Sequence, residues 1–333
     1  MESARSGRHD GSRWPPVEDA MSTQLPHQLL PGAKEVPFAE IEGTLSRLVQ
    51  DGRRRSRAPA RSLTATVVVV GEPARLVSAA DALAQLGEAG GVRTILISQG
   101  DQPSPTALVT EHSIAIAGLA PRYIDNAVAS LRLSSLPALV WWRGGSIEAL
   151  DDVAGLADRL VLDTESPDET WARAQTFLEE TAVTDLRWAR LTRWRALLAH
   201  LFDLPRVREA VASFNRLSID AADVPAARLF AGWLQTSLRW PSSNQISIRR
   251  VSADGKSPLE RVQLEGDRLT ITLHVPSTRT CLHASVGGED GMARVVPLGD
   301  GALTALIGEE LGIRTRDLAF ERALGAAREL SVS

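Results

Sequence analysis

The stretch LTATVVVV at residues 63–70 decides how the first half of the chain is interpreted, because it is an unbroken run dominated by β-branched residues. Such runs are typical of strands that are buried on both faces of a parallel sheet. A second run of this kind, VRTILIS at 92–98, follows a segment with a helical pattern that extends to Ala89. The order strand, helix, strand predicts a parallel α/β sheet.

Further apolar runs extend this sheet. PALVWW at 137–142 and RLVLD at 159–163 predict two more strands. The segment ALVTEHSIAIAG at 107–118 predicts another strand, antiparallel and at an edge of the sheet. Apolar spacing, prolines and acidic residues at the starts predict the intervening helices at 38–49, 121–133, 147–157 and 167–181.

The second half of the chain has a different character. The segments 185–205 and 224–240 predict two strong helices, and 315–330 predicts a terminal helix. Between them lie segments of alternating polarity joined by short turns, which predict an antiparallel meander. These segments are QISIRRV, LERVQLEG, DRLTITLHV, CLHASV and ARVVPL.

The expected organisation therefore has three parts, with a boundary near residue 183 where the sheet type changes. Residues 1–33 lack any sustained period and predict a disordered N-terminal segment. Residues 34–183 predict an α/β domain with a mostly parallel sheet. Residues 184–333 predict an α+β domain with helices and the antiparallel meander.

Composition restricts the possible partners and compartments. The formal net charge of −4 argues against a nucleic-acid partner, because no overall positive field would attract phosphates. Cys281 is the only cysteine, which excludes an internal disulfide and fits a reducing, cytoplasmic compartment. No apolar stretch approaches the roughly 18 residues of a membrane span, so no membrane association is expected.

Common catalytic motifs are absent from the sequence: there is no phosphate-binding loop, no nucleophile elbow and no zinc-protease motif. The alternation places His274 opposite His283, with Cys281 on the same face of the predicted sheet. Three such residues could bind zinc, but the interpretation as polar residues on an outer sheet face is favoured. We therefore expect neither a metal nor a cofactor.

The stretch LPALVWWRGG at 136–145 marks the carboxyl end of a predicted strand, where parallel α/β sheets bind their ligands. Trp142 and Arg143 are candidates for contact with a partner protein, since Trp and Arg are enriched in binding hot spots. A ligand crevice is the alternative, and its candidate residues are Gly144, Gly145, Asp163 and Thr164. A third interpretation is structural: tryptophans in the core and glycines that turn the chain.

The segment RWARLTRWR at 187–195 interleaves tryptophan and arginine, as some surfaces that stack on nucleic-acid bases do. Helical geometry instead places both tryptophans on the apolar face, with Arg190 and Arg193 on one flank. A core helix with a basic edge is favoured. Arg190 and Arg193 are therefore further candidates for contact with the carboxylates of a partner.

Taken together, LPALVWW, ADRLVLDTES, DLRWARLTRWRALLAHLFD and LFAGWLQTSLRW resemble the OpcA family, in order, over roughly residues 35–330. The resemblance implies a non-catalytic protein that assists assembly and activation of glucose-6-phosphate dehydrogenase in the oxidative pentose phosphate pathway. As the mechanism we expect selective binding to the active conformation or oligomer of that enzyme. The chain departs from the family pattern at GGVR, 90–93, and Cys281 alone cannot form the paired-cysteine redox switch of some members.

Two other functions stay open from the sequence. One is a sugar-phosphate- or nucleotide-binding protein or enzyme that uses the crevice near Arg143 and Asp163. The other is a nucleic-acid-binding regulator that uses the RRRSR run at 53–57 and the Trp–Arg helix, against which the net negative charge argues.

Overall fold

Two β-sheets organise the part of the chain that the structure describes. The structure is a computed structural model, and it describes residues 29–55, 62–89, 91–241, 244–252, 257–278, 280–287, 292–299, 301–313 and 315–330. Of the segment 1–33 that was predicted to be disordered, residues 1–28 lie outside the described residues. At the start of the described chain, Leu29 is buried and the first strand begins at Lys34.

Within the described residues the first sheet has eight strands in the order β1-β4-β5-β3-β2-β6-β7-β8. The strands are β1 Lys34–Pro37, β2 Leu63–Val70, β3 Gly91–Gln99, β4 Thr106–Val109, β5 Ser113–Leu119, β6 Ala138–Trp142, β7 Arg159–Leu162 and β8 Ala182–Asp185. The six strands from β5 to β8 in this order pair in parallel, and only β1 and β4 are antiparallel. The predicted, mostly parallel sheet is confirmed.

One expectation about this sheet was wrong. The segment 107–118 forms two strands, β4 and β5, and not one. They are joined by a tight turn, in which the hydroxyl of Thr110 accepts from the Ser113 N–H at 2.9 Å. Hydroxyl side chains often stabilise such turns, and this one reverses the chain in the middle of an apolar run.

Helices cover both faces of the first sheet, and its strands are accordingly buried on both. The helices of this half are α1 Ile41–Arg55, α2 Pro73–Ala89, α3 Ile124–Leu131, α4 Ile147–Ala154 and α5 Asp168–Ala174. The side chains of Val67, Val69 and Trp141 share one face with α2. Those of Val68, Val70 and Trp142 lie on the other face, in a core that includes α1, α3 and α4.

The second sheet has six strands within the described residues, in the order β10-β9-β11-β12-β13-β14. The strands are β9 Arg216–Ala221, β10 Gln245–Arg250, β11 Leu259–Glu265, β12 Thr270–His274, β13 Cys281–Val286 and β14 Met292–Pro297. The predicted antiparallel meander is confirmed for β11 to β14, and His274 does pair with His283.

The first predicted strand of the meander has a different partner. The QISIRRV segment forms β10, which pairs in parallel with β9, a strand that the sequence pattern did not predict. A parallel pair needs a long crossover connection, and the helix α9, Val224–Leu238, supplies it. The second sheet is therefore mixed at this edge.

Helices of the second half bridge the two sheets. They are α6 Leu186–Arg190, α7 Thr192–Phe202, α8 Pro205–Glu209, α9, α10 Leu303–Gly312 and α11 Leu318–Glu329. The single helix predicted at 185–205 is interrupted at Leu191, whose N–H is shared between the carbonyls of Arg187 at 3.0 Å and Trp188 at 3.2 Å. Such tightening of a last turn ends α6, and α7 starts immediately after it.

The chain returns to the first sheet near its end. Helix α10, which was not predicted, packs on α2, so residues from beyond position 300 cover a face of the N-terminal sheet. Arg159 at the start of β7 donates from Nε to Oε2 of Glu310 at 2.6 Å, and both side chains are buried. The expected boundary near 183 falls within β8, a strand of the first sheet, and the helices after it contact both sheets.

Candidate functional site

The candidate site lies at the carboxyl ends of β6 and β7, which are neighbours in the sheet. Arg143 and Asp163 follow these two strands directly, and Arg143 Nε donates to Asp163 Oδ2 at 2.9 Å. The same carboxylate oxygen accepts from Trp141 Nε1 at 3.3 Å, and the guanidinium carbon of Arg143 lies 4.8 Å from the centre of a Trp141 ring. A tryptophan, a guanidinium and a carboxylate therefore meet here, as the sequence led us to expect.

The tryptophan at this meeting point is Trp141, however, and not Trp142. Trp142 is fully buried on the opposite face of the sheet, so the expectation that it is an exposed contact was wrong. Successive side chains of a strand point to opposite faces, and helices cover both faces of β6. Arg143 is also buried, with 7% of its surface exposed.

The N-terminal end of α2 closes the crevice over Arg143. Nη1 of Arg143 donates to the hydroxyl of Ser78 at 2.7 Å and to the carbonyl of Arg75. Arg75 in turn donates to the carbonyl of Asp163, and its guanidinium lies 3.4 Å from the carboxylate of Glu165. Burial lowers the pKa of Arg143, and the positive charges of Arg75 and Arg190 lower it further, while Asp163 opposes the shift.

A second ion-pair network, which sequence reasoning missed, lies beside the first. Asp185 at the end of β8 is completely buried and accepts from the Arg187 N–H and from Trp171 Nε1, each at 2.8 Å. Arg187 Nε lies 3.0 Å from the carboxylate of Asp223. Burial raises the pKa of Asp185, and Arg187 opposes that shift. The only signal in the sequence was an aspartate directly before a helix, which is a common N-cap.

Thr164 connects the two networks. Its carbonyl accepts from Arg187 Nη2 at 2.7 Å, and its buried hydroxyl has no hydrogen-bond partner among the described residues. Burial opposes protonation of Arg187, but Asp185 and Asp223 raise its pKa. Thr164 therefore contributes its backbone, and not its side chain, to the contacts of this site.

The glycines after β6 turn the chain. Gly144 and Gly145 both have a φ of 135°, a backbone conformation that residues other than glycine rarely adopt. A Cβ at Gly145 would lie 2.3 Å from Nε2 of Gln99, whose Oε1 accepts from the Ser146 N–H at 2.9 Å. The turn explains Gly144, and the turn together with the close approach to Gln99 explains Gly145.

The Trp–Arg helix proves to be a core element with a basic edge, as its spacing predicted. Trp188 and Trp194 are buried, so neither indole is accessible for stacking on a base. Trp188 Nε1 donates to Asp317 at 2.7 Å, and the guanidinium carbon of Arg195 lies 3.4 Å from the centre of a Trp188 ring. Burial lowers the pKa of Arg195 to about 10.

Arg190 and Arg193 remain at the surface. Arg190 is half-buried and Arg193 is exposed, and both line a cleft of about 570 Å³. Ala222, Ser257, Leu298 and Gly301 contribute to its other walls.

The open face of the second sheet carries the histidine pair. The rings of His274 and His283 have centroids 5.3 Å apart, and Cys281 lies two residues from His283 on the same strand. Among the described residues, no group of three or more His, Cys, Asp or Glu side chains could hold a metal ion. In the same part of the chain, no helix has the length and apolar character needed to cross a bilayer.

The fold and the site define a class: a protein with two sheets, a doubly wound parallel one and a mixed one, whose strand-end crevice is filled by its own ion pairs. Residues 181–324 match the OpcA family model that describes the C-terminal domain of a glucose-6-phosphate dehydrogenase subunit. The resemblance to the OpcA family is thereby confirmed as a similarity, and residues 181–324 are the part of the chain that matches the family model.

Three relatives are similar in sequence, and all are named OxPP cycle protein OpcA. The protein of Synechocystis sp. is 25% identical over 244 residues, which cover 60% of this chain and 51% of the relative. That of Nostoc punctiforme is 28% identical over 46% of this chain and 34% of its own length. That of Synechococcus elongatus is 30% identical over 35% of this chain and 28% of its own length. The chain thus spans about half the length, or less, of the curated relatives it matches.

A solved structure with some likeness is that of a super-repressor mutant of Gal80p from Saccharomyces cerevisiae. It is 10% identical in sequence, has a TM-score of 0.42, and covers 74% of this chain and 83% of its own. A likeness at this level carries no argument about function.

Proposed function

We propose that this protein is a non-catalytic accessory protein that binds glucose-6-phosphate dehydrogenase and raises its activity in the oxidative pentose phosphate pathway. The match of residues 181–324 to a domain described as part of a dehydrogenase subunit is the observation that carries this proposal. The names of the OpcA relatives support the same pathway. A cytoplasmic location, expected from the single cysteine, is part of the proposal.

The crevice at the strand ends argues against the alternative in which a sugar phosphate or nucleotide binds beside Arg143 and Asp163. A ligand phosphate would have to compete for Arg143 with Asp163, Ser78 and the carbonyl of Arg75, all of which are already in contact with its guanidinium. Breaking a buried ion pair is strongly unfavourable. The polar groups of the crevice therefore hold the fold together.

The surface proposed for the partner narrows to Arg190 and Arg193. Trp142 and Arg143, the other two candidates, are buried, which argues against their direct contact with a docked protein. The mechanism we propose is selective binding: a protein that binds the active conformation or oligomer of the dehydrogenase more tightly shifts its population toward that state.

The test is the activity of the dehydrogenase of the same organism, measured with increasing concentrations of this protein. We expect a saturable rise in rate, and no activity from this protein alone. Arg193→Glu is expected to weaken the activation, whereas Arg208→Glu, at an exposed arginine of α8 outside the cleft, is expected to leave it intact. A flat response with verified enzyme would overturn the proposal, and equal activation by both variants would remove Arg193 from the contact surface.

A further inference from the structure

The cleft beside the break between α6 and α7 contains positive charge that the fold itself does not neutralise. Arg190 ends α6 and Arg193 lies in the first turn of α7, so the two arginines flank the interruption at Leu191. Within the part of the chain that the structure describes, neither guanidinium has a hydrogen-bond or ion-pair partner, unlike Arg143 and Arg187 nearby. Arg190 is half-buried and borders the cleft, so its unpaired charge is available to an anion that enters there.

The carboxylates of the cleft do not supply that anion. Asp223 is held by Arg187, with 3.0 Å between Arg187 Nε and its carboxylate. Glu309 on α10 is exposed and forms no ion pair with a described residue. The positive charge of Arg190 also contributes to the lowering of the pKa of Arg143.

The cleft also has donors and room for a ligand. Thr192 lines it, and its hydroxyl accepts from Arg195 Nη2 at 3.4 Å, which leaves its own proton free to donate. Gly299, which also lines the cleft, has φ of 92°, and a Cβ there would lie 3.4 Å from Arg193 Nε, at ordinary van der Waals distance. The volume of about 570 Å³ lies within the range of small-molecule sites.

We propose that this cleft binds a small phosphate-bearing anion, with Arg190 and Arg193 as its main contacts. The planar guanidinium donates two parallel hydrogen bonds to a phosphate, and a doubly charged phosphate matches two unpaired arginines. This ligand site is distinct from the filled crevice at Arg143, and it does not depend on the proposed dehydrogenase partner.

Isothermal titration of the isolated full chain with inorganic phosphate tests the proposal, in a buffer whose ionic strength is kept constant with acetate. We expect saturable binding at one site. The double variant Arg190→Gln, Arg193→Gln is expected to lose at least about tenfold in affinity, because each lost charge-assisted contact contributes roughly a factor of ten. Arg208→Gln is the matched control and is expected to bind as the wild type does.

Circular dichroism and urea unfolding establish whether the variants are folded. If the double variant is not folded, the single variant Arg193→Gln replaces it in the binding measurement. Absence of saturable phosphate binding by the wild-type protein would overturn the proposal. So would wild-type affinity in a folded variant, or equal binding of acetate and phosphate. Because the dehydrogenase is absent from this experiment, a negative result leaves the accessory function standing, and a flat activation assay leaves this site standing.

Discussion

Arg143 and Asp163 form a buried ion pair, 2.9 Å from Nε to Oδ2, across the carboxyl ends of two neighbouring parallel strands. In doubly wound sheets this edge is where ligands bind. Here the pair, with Trp141, Arg75 and Ser78, fills that space. The contacts tie β6, β7 and α2 together, so the pair should contribute strongly to stability.

Substitution of Arg143 by alanine should lower the free energy of unfolding by about 3–5 kcal/mol, because it leaves the carboxylate of Asp163 buried without its main partner. Urea unfolding measures the change. Arg173→Ala is the control, since the Arg173–Asp151 pair is exposed and should contribute little. Equal effects of the two substitutions would show that the buried pair has no special role.

Substitution of Trp142 should affect stability and not partner binding. Trp142→Phe keeps an aromatic ring in the core and should fold, whereas Trp142→Ala leaves a cavity and should cost about 3–5 kcal/mol. Folded Trp142→Phe protein should activate the dehydrogenase with unchanged half-saturation. Selective loss of activation in that folded variant would return Trp142 to the contact surface.

The close packing of α9 on α11 depends on Gly232. A Cβ at this position would lie 2.5 Å from the carbonyl oxygen of Ala323 and 2.9 Å from the amide nitrogen of Ala327, both backbone atoms of α11. Gly232→Ala should therefore destabilise the protein by about 1–3 kcal/mol, since one helix must move.

Gly43 offers the matched comparison for that measurement. It lies in α1 with nothing within 4 Å of an added Cβ, so Gly43→Ala should stabilise by about 0.5–1 kcal/mol through the helix propensity of alanine. Thermal unfolding of both variants measures whether Gly232→Ala lowers the stability and Gly43→Ala raises it. Stabilisation by both substitutions would contradict the packing of α9 on α11.

The pH dependence of stability should carry a component from Glu310. Burial raises the pKa of this carboxyl, and Arg159 only partly opposes the shift. The folded state therefore holds the proton of Glu310 more tightly than the unfolded state does, and protonation stabilises the fold. This contribution to the free energy of unfolding is complete below the ordinary pKa of 4.5 and is lost as the pH rises through the raised pKa.

Glu310→Gln removes that component while keeping a hydrogen-bond acceptor for Arg159. The stability of the wild type relative to this variant should therefore fall as the pH rises from about 4.5 toward 7. Urea unfolding at a series of pH values measures the difference. A difference that grows with pH in favour of the wild type would mean that Arg159 outweighs burial.

The sequence predicted those parts of the fold in which a local pattern and the tertiary environment agree. The runs at 63–70 and 92–98 are apolar throughout because helices cover both faces of their strands. The pairing of Arg143 with Asp163 followed from two strands that end side by side. Strand β9 was missed because its polar and apolar residues alternate over only six positions, shortly after a helical segment.

Other features depend on contacts that are distant in the chain. Nothing near Arg143 indicates that Arg75 and Ser78, some 65 residues away or more, would close the crevice. Whether Trp141 or Trp142 meets the carboxylate depends on which face of β6 receives α2. The position of α10 likewise depends on its packing against α2. The periodicity of one segment cannot show which other helix it will contact.

The ion pair between Arg159 and Glu310 joins residues that are 151 positions apart in sequence. During synthesis, the side of α2 that α10 covers stays open until residues 303–312 have left the ribosome, long after β2 to β8 can pair. Contacts of such large sequence separation form late and slow the completion of folding. A nascent chain that stops before α10 therefore exposes the apolar side of α2 against which α10 packs, and it is the species that chaperones should recognise.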